Sequence, residues 1–202
     1  MDIIHLFKAG GFMMYPLIFC SIAVVAIFFE RFRFYRSNRS NVERLTRKIP
    51  EYLAASHIDG LIEELKKDGG IPAGVILSAA KAYGTKANQE TVIEGAASHA
   101  SEELKSYLNY LDVIVTLSPL MGLLGTVVGM IHSFNVLSVA EGQPFAVTGG
   151  VAEALVCTAT GLFVAIIALI GYTYLSQQVA HYISAIEKLG SVYLSLADGD
   201  KR

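Results

Sequence analysis

Hydrophobic and polar positions divide the chain into three long apolar runs and one long stretch of helical periodicity. The first run, from Phe12 to Phe29, holds no charged residue and stops at Glu30-Arg31-Phe32-Arg33-Phe34-Tyr35-Arg36, where charges and aromatics alternate. The second runs from Val113 to Val139, between Asp112 and Glu141, and the third from Phe145 to Leu175 with Glu153 as its single charge. A helix of about 20 such residues crosses a hydrocarbon layer about 30 Å thick, so each run predicts a membrane span. Ala140 to Pro144 is short enough to make the last two spans an antiparallel hairpin. Pro16 falls in the opening turns of the first span, where few helix hydrogen bonds are lost.

Between the first and second runs the apolar positions follow a helical period. Val42, Leu45, Ile49, Tyr52 and Leu53 share one face, as do Ile58, Leu61, Ile62 and Leu65. Gly69-Gly70-Ile71-Pro72 is a break, and a helix through Val75, Ile76, Ala79 and Tyr83 ends near Gly84. Asn88 caps a further helix through Val92, Ala96, Leu104, Leu108 and Leu111. No stop signal separates this helix from the second span, so it is predicted to enter the membrane unbroken, with a kink at Pro119. The expected fold is all-α, an integral membrane protein with three transmembrane helices, the second and third extending into a helical cytoplasmic domain. The boundaries are an N-terminal segment 1–11, spans at 12–30, 112–139 and 146–175, a helical domain 31–111, a turn 140–145 and a tail 176–202.

Charge sets the orientation. Twelve of the sixteen Lys+Arg lie between Arg31 and Lys105, and the 140–144 connection has none. The positive-inside rule places 31–111 and the C-terminus in the cytoplasm, and the N-terminus and hairpin tip outside. The first residues lack a basic n-region and a small-residue cleavage site, so the first run reads as an uncleaved span, not a signal peptide. Composition agrees: 53% of residues are hydrophobic and 17% charged, against about 25% charged in an ordinary soluble domain. It excludes a disordered chain, a basic nucleic-acid binder and a disulfide scaffold. No nucleotide loop, clustered metal ligands or catalytic triad is present, and neither an enzyme nor a cofactor is expected.

Glu153 stands out. A carboxylate inside a span costs on the order of 2.5–3.5 kcal/mol on insertion scales, and no Lys or Arg lies in any span to neutralise it. One reading places it at the outer interface. The other, favoured because apolar or small residues flank it on both sides, is a protonatable group facing a protein-lined path. Small and hydroxyl residues form the second signal. Gly122, Gly125, Thr126, Gly129 and Ser133 recur at three- and four-residue intervals, as do Ala154, Thr158, Gly161, Ala165 and Ala168. Such stripes let helices approach closely, and packing explains most of them; they are expected at subunit contacts or toward a pore. Thr126 and Thr158 also offer hydroxyls to a proton path. Thr158 lies about 140° around an ideal helix from Glu153, so the two share a path only through a neighbouring subunit or a distortion.

Ser118-Pro119-Leu120-Met121-Gly122-Leu123-Leu124-Gly125-Thr126-Val127-Val128-Gly129-Met130-Ile131 and Gly150-Val151-Ala152-Glu153-Ala154-Leu155-Val156-Cys157-Thr158-Ala159-Thr160-Gly161-Leu162 resemble the span signatures of the MotA/TolQ/ExbB proton-channel family, in its ExbB/TolQ branch. The resemblance extends to Glu30-Arg31 closing the first span as an interfacial anchor, to the three-span layout and to the large cytoplasmic region. It implies that Glu153 takes part in proton passage and that Thr126 and Thr158 face the pore. Gly122, Gly125, Gly129 and Gly161 are the helix-packing positions. The resemblance further implies a homopentamer in the bacterial inner membrane, surrounding an ExbD/TolR-like partner with a single span and an intramembrane Asp. Such a complex converts proton flow into mechanical work at the cell envelope. Cys157 departs from the small residue, such as Ala, expected there. The alternatives are a non-conducting membrane scaffold in which Glu153 is structural, and a small-solute transporter, which lacks the expected repeats. The flagellar stator branch has four spans against three here.

Overall fold

A computed structural model describes residues 11–85, 87–139 and 144–197. Among them are seven helices and no strand: α1 Met14–Ser37, α2 Val42–Ala54, α3 Ile58–Asp68, α4 Ile71–Lys81, α5 Gln89–Lys105, α6 Leu108–Val139 and α7 Pro144–Ala197. Residues 1–10, the 140–143 part of the hairpin turn and 198–202 lie outside the described residues. The described chain divides into two compact units, one made of residues to Glu30 with Tyr107–Tyr174, the other of Arg31–Ser106 with the residues from Leu175.

The first unit is apolar on its outside. Two helical stretches, Gln89–Asn135 and Gly149–Ala197, contain windows apolar and long enough to cross a membrane, yet only 22% and 39% of those windows is buried within the chain. Leu120, Leu123, Phe163 and Ile170 all stand exposed. Surface of this kind is covered by lipid or by other polypeptide. Inside the unit, Met14, Leu17 and Cys157 form a small core with Met13 and Met121 packed on it. Phe28 meets Tyr174 with ring centroids 6.1 Å apart.

The second unit has an ordinary helical core of Leu45, Ile49, Leu61, Leu65, Ile76, Leu104, Leu189 and Tyr193, all nearly or fully enclosed. Its consecutive short helices pack against one another. Asn41 caps α2 by accepting from the Arg44 amide at 3.1 Å, and Asn88 caps α5 by accepting from the Glu90 amide at 2.9 Å. Gly69 ends α3 in the left-handed region at φ +70°, where a side chain is disfavoured. Ser40 Oγ accepts from the Ala73 amide at 3.1 Å, and Arg44 and Lys48 share Glu64.

One sequence expectation changes here. The helix after Asn88 does not continue unbroken: α5 stops at Lys105, Ser106 is extended and Tyr107 sits at φ +65° before α6 begins. Side chains from α1 bond carbonyls at the end of α5, one of which, that of Glu103, also accepts from the Ser106 amide at 3.3 Å. Arg31 Nη1 donates to the Glu103 carbonyl at 3.1 Å, and Tyr35 Oη donates to the Leu104 carbonyl at 2.8 Å. The Tyr182 hydroxyl of α7 donates in turn to the Tyr35 carbonyl. Helix α1 runs on past its apolar run. It carries Glu30 and Arg31 within it and closes at Ser37. Arg31 is buried at 5% exposure with its guanidinium 4.6 Å from the Phe34 ring centre. A guanidinium at a helix C-terminus also complements the helix dipole.

Candidate functional site

The two small-residue stripes meet each other. Along α6 the positions run Ser118, Gly122, Gly125, Gly129 and Ser133; opposite them on α7 lie Gly161, Thr158, Cys157, Ala154 and Gly150. The order reverses between the helices, so their facing parts are antiparallel. A Cβ on Gly161 would stand 2.5 Å from the Ser118 carbonyl oxygen and 3.1 Å from Gly122 Cα. One on Gly122 would stand 3.0 Å from Thr158 Cα, and one on Gly129 3.2 Å from Ala154 Cβ. At Gly161 only glycine permits this approach, and at Gly122 and Gly129 a side chain would be tight. The stripes therefore pack within one chain, where the sequence pattern pointed to subunit contacts or a pore.

Cys157 finds its explanation at this seam. Its Sγ occupies the place that a Gly125 side chain would take, and it is 1% exposed. The larger residue on α7 is matched by the missing one on α6. Ser118, also on the seam, is fully enclosed, and its hydroxyl has no hydrogen-bond partner among the described residues.

The hydroxyls are already engaged. Thr158 Oγ1 donates across the seam to the Gly122 carbonyl at 3.0 Å. Thr126 Oγ1 donates along its own helix to the Leu123 carbonyl at 2.7 Å. Each oxygen keeps acceptor capacity for a water or a protonated group, but its own proton is committed. Glu153 is half-buried, and its carboxylate lies against Gly11, which holds φ +68° in the turn before α1. A side chain at Gly11 would collide with Glu153 Oε1. Helix α7 extends from Pro144 to Ala152 before this level, about 14 Å at 1.5 Å per residue. No hydrogen bond joins Glu153 to Thr126 or Thr158 among the described residues. The structure thus brings Thr158 to Gly122 and Glu153 to Gly11, while the Thr126 hydroxyl bonds within its own helix. Sequence reading missed the Gly11 contact; the only signal was a Gly-Gly pair before the first span.

The geometry is that of a helical membrane protein built on a tight glycine seam with one carboxylate beside it. Comparison with known proteins makes the class specific. The model of the MotA/TolQ/ExbB proton channel family matches residues 71–188. The chain is 35% identical to the ExbB-like 3 biopolymer transport protein of Synechocystis sp. over 167 residues, covering 80% of this chain and 79% of that one. It is 39% identical over 98 residues to the Tol-Pal system protein TolQ of Haemophilus influenzae, covering 45% of this chain and 43% of that one. It is 36% identical over 92 residues to the biopolymer transport protein ExbB of Salmonella typhimurium, covering 45% and 38%. The chain belongs to the MotA/TolQ/ExbB proton channel family, in its ExbB/TolQ branch.

Proposed function

We propose that the protein is the multi-span subunit of a proton-driven motor that does mechanical work at the cell envelope, in energised transport across the outer membrane or envelope maintenance. In this reading it crosses the bacterial inner membrane three times, at 12–30, 112–139 and 146–175, with its N-terminus periplasmic and its C-terminus cytoplasmic. It assembles as a homopentamer around an ExbD/TolR-like partner that contributes a single span and an intramembrane Asp. Protons pass by way of Glu153, with Thr126 and Thr158 offering oxygens along the route. Family membership supports this reading, and the observation that carries it is the lone carboxylate of Glu153 in the third apolar run beside the glycine seam. The driving force is adequate: one charge crossing 100 mV releases about 2.3 kcal/mol.

The contact of Glu153 with Gly11 favours a second reading, a non-conducting scaffold in which the carboxylate ties the start of α1 to α7. Proton flux into liposomes separates the two. The complex reconstituted with its single-span partner is expected to conduct protons, and the chain alone much less. An inert complete complex contradicts the motor and favours the scaffold.

A further inference from the structure

The second unit carries an open groove of about 650 Å³ between α5 and the C-terminal part of α7. Its floor is apolar, made by Ile93, Ile186 and Leu194, and its edges carry three carboxylates, Glu90, Glu94 and Glu187. All three are exposed, and no Lys or Arg lines the groove. The same unit holds the complementary charge on different elements. Arg36, Arg39 and Arg47, near the end of α1 and on α2, are exposed and make no ion pair among the described residues. By contrast, Arg44 and Lys48 on α2 are matched to Glu64 within the chain.

We propose that this groove receives the exposed arginines Arg36 and Arg39, where α1 gives way to α2, of a second copy of the chain. The proposal rests on the ring assembly described above and names the contact between its cytoplasmic units. The acidic groove and the two arginines lie on different elements, so the contact is head-to-tail, the type that closes into a ring. The apolar floor supplies contact area, while the three carboxylates set register and reject a wrongly placed neighbour. A cationic segment of a different protein is the competing occupant.

Crosslinking between two forms of the chain tests this. With Cys20 and Cys157 replaced, a Ser191→Cys copy is co-expressed with a Ser37→Cys copy, and a short bifunctional thiol reagent is added. Circular dichroism and native mass spectrometry check folding and assembly of each variant. A crosslinked dimer is expected. It should be lost when Glu90, Glu94 and Glu187 in the first copy become Lys, and regained when Arg36→Glu and Arg39→Glu are added to the second. An intact oligomer without the crosslink overturns the proposal and leaves the groove to another polypeptide. A crosslink indifferent to charge reversal overturns it too. A monomeric starting protein is a different failure, because it sinks the ring reading itself.

Discussion

Thr158 and Thr126 differ in what their hydroxyls hold, and that difference is measurable. Thr158 bonds across the seam to Gly122, whereas Thr126 bonds within its own helix. An interhelical hydrogen bond in a membrane protein averages about 0.6 kcal/mol. Thr158→Val is therefore expected to loosen the α6–α7 pair by about that amount and to slow proton flux, while Thr126→Val slows flux with packing intact. Unfolding in mixed micelles, run beside flux, checks this; equal destabilisation by both variants would contradict it. Tyr193 belongs to the second unit. Burial, reinforced by the nearby Tyr83, pushes its phenol from 10.0 up to about 12. The fold holds the neutral form, so this stabilisation is complete below pH 10 and is lost as pH rises through about 12. Tyr193→Phe should remove that alkaline step from a helicity titration, at the cost of the 3.2 Å bond to Gln89. Persistence of the whole step would assign it elsewhere.

Helix identity is local, and it was legible: periodicity gave an all-helical chain, Asn88 gave the start of α5, and the glycine stripes gave the close approach. The end of α5 was not legible. Leu104, Leu108 and Leu111 keep helical spacing across Ser106–Tyr107, so nothing nearby signals a stop. The partners that accommodate the break, Arg31 and Tyr35, lie 72 and 69 residues away in sequence. The same holds for the site. Glu153 was conspicuous as a lone charge, but its neighbour Gly11 comes from the far end of the unit's sequence. Two predictions belong to this scale. Tyr35→Phe removes one donor from the α5 terminus and should cost about 1 kcal/mol, read as a lower midpoint of chemical unfolding; an unchanged midpoint would mean that the bond is replaced. Gly161→Leu inserts a side chain where a single Cβ already stands 2.5 Å from the Ser118 carbonyl oxygen. It should force α6 and α7 apart and lower the yield of folded protein. Wild-type yield and stability would contradict the packing of the seam.

For the whole molecule, apolar outside and basic loop together make a membrane protein whose orientation is testable from two positions. On a cysteine-free background, a cysteine at Gln143 should react with an impermeant reagent from outside and one at Lys67 only from inside; the reverse pattern overturns the topology. In the proposed function conduction needs more than this chain, because the few apolar helices of one copy with one acid do not enclose a conduit. The proposed function rests on proton carriage by Glu153 in the assembled complex. Glu153→Gln keeps the side-chain volume and its capacity to hydrogen-bond, but an amide does not titrate in this range. The decisive measurement is proton flux into liposomes holding the complete complex, wild type against Glu153→Gln, with assembly of both confirmed by native mass spectrometry. An assembled variant whose flux is lost is expected; wild-type flux through an assembled Glu153→Gln complex would contradict proton carriage by Glu153.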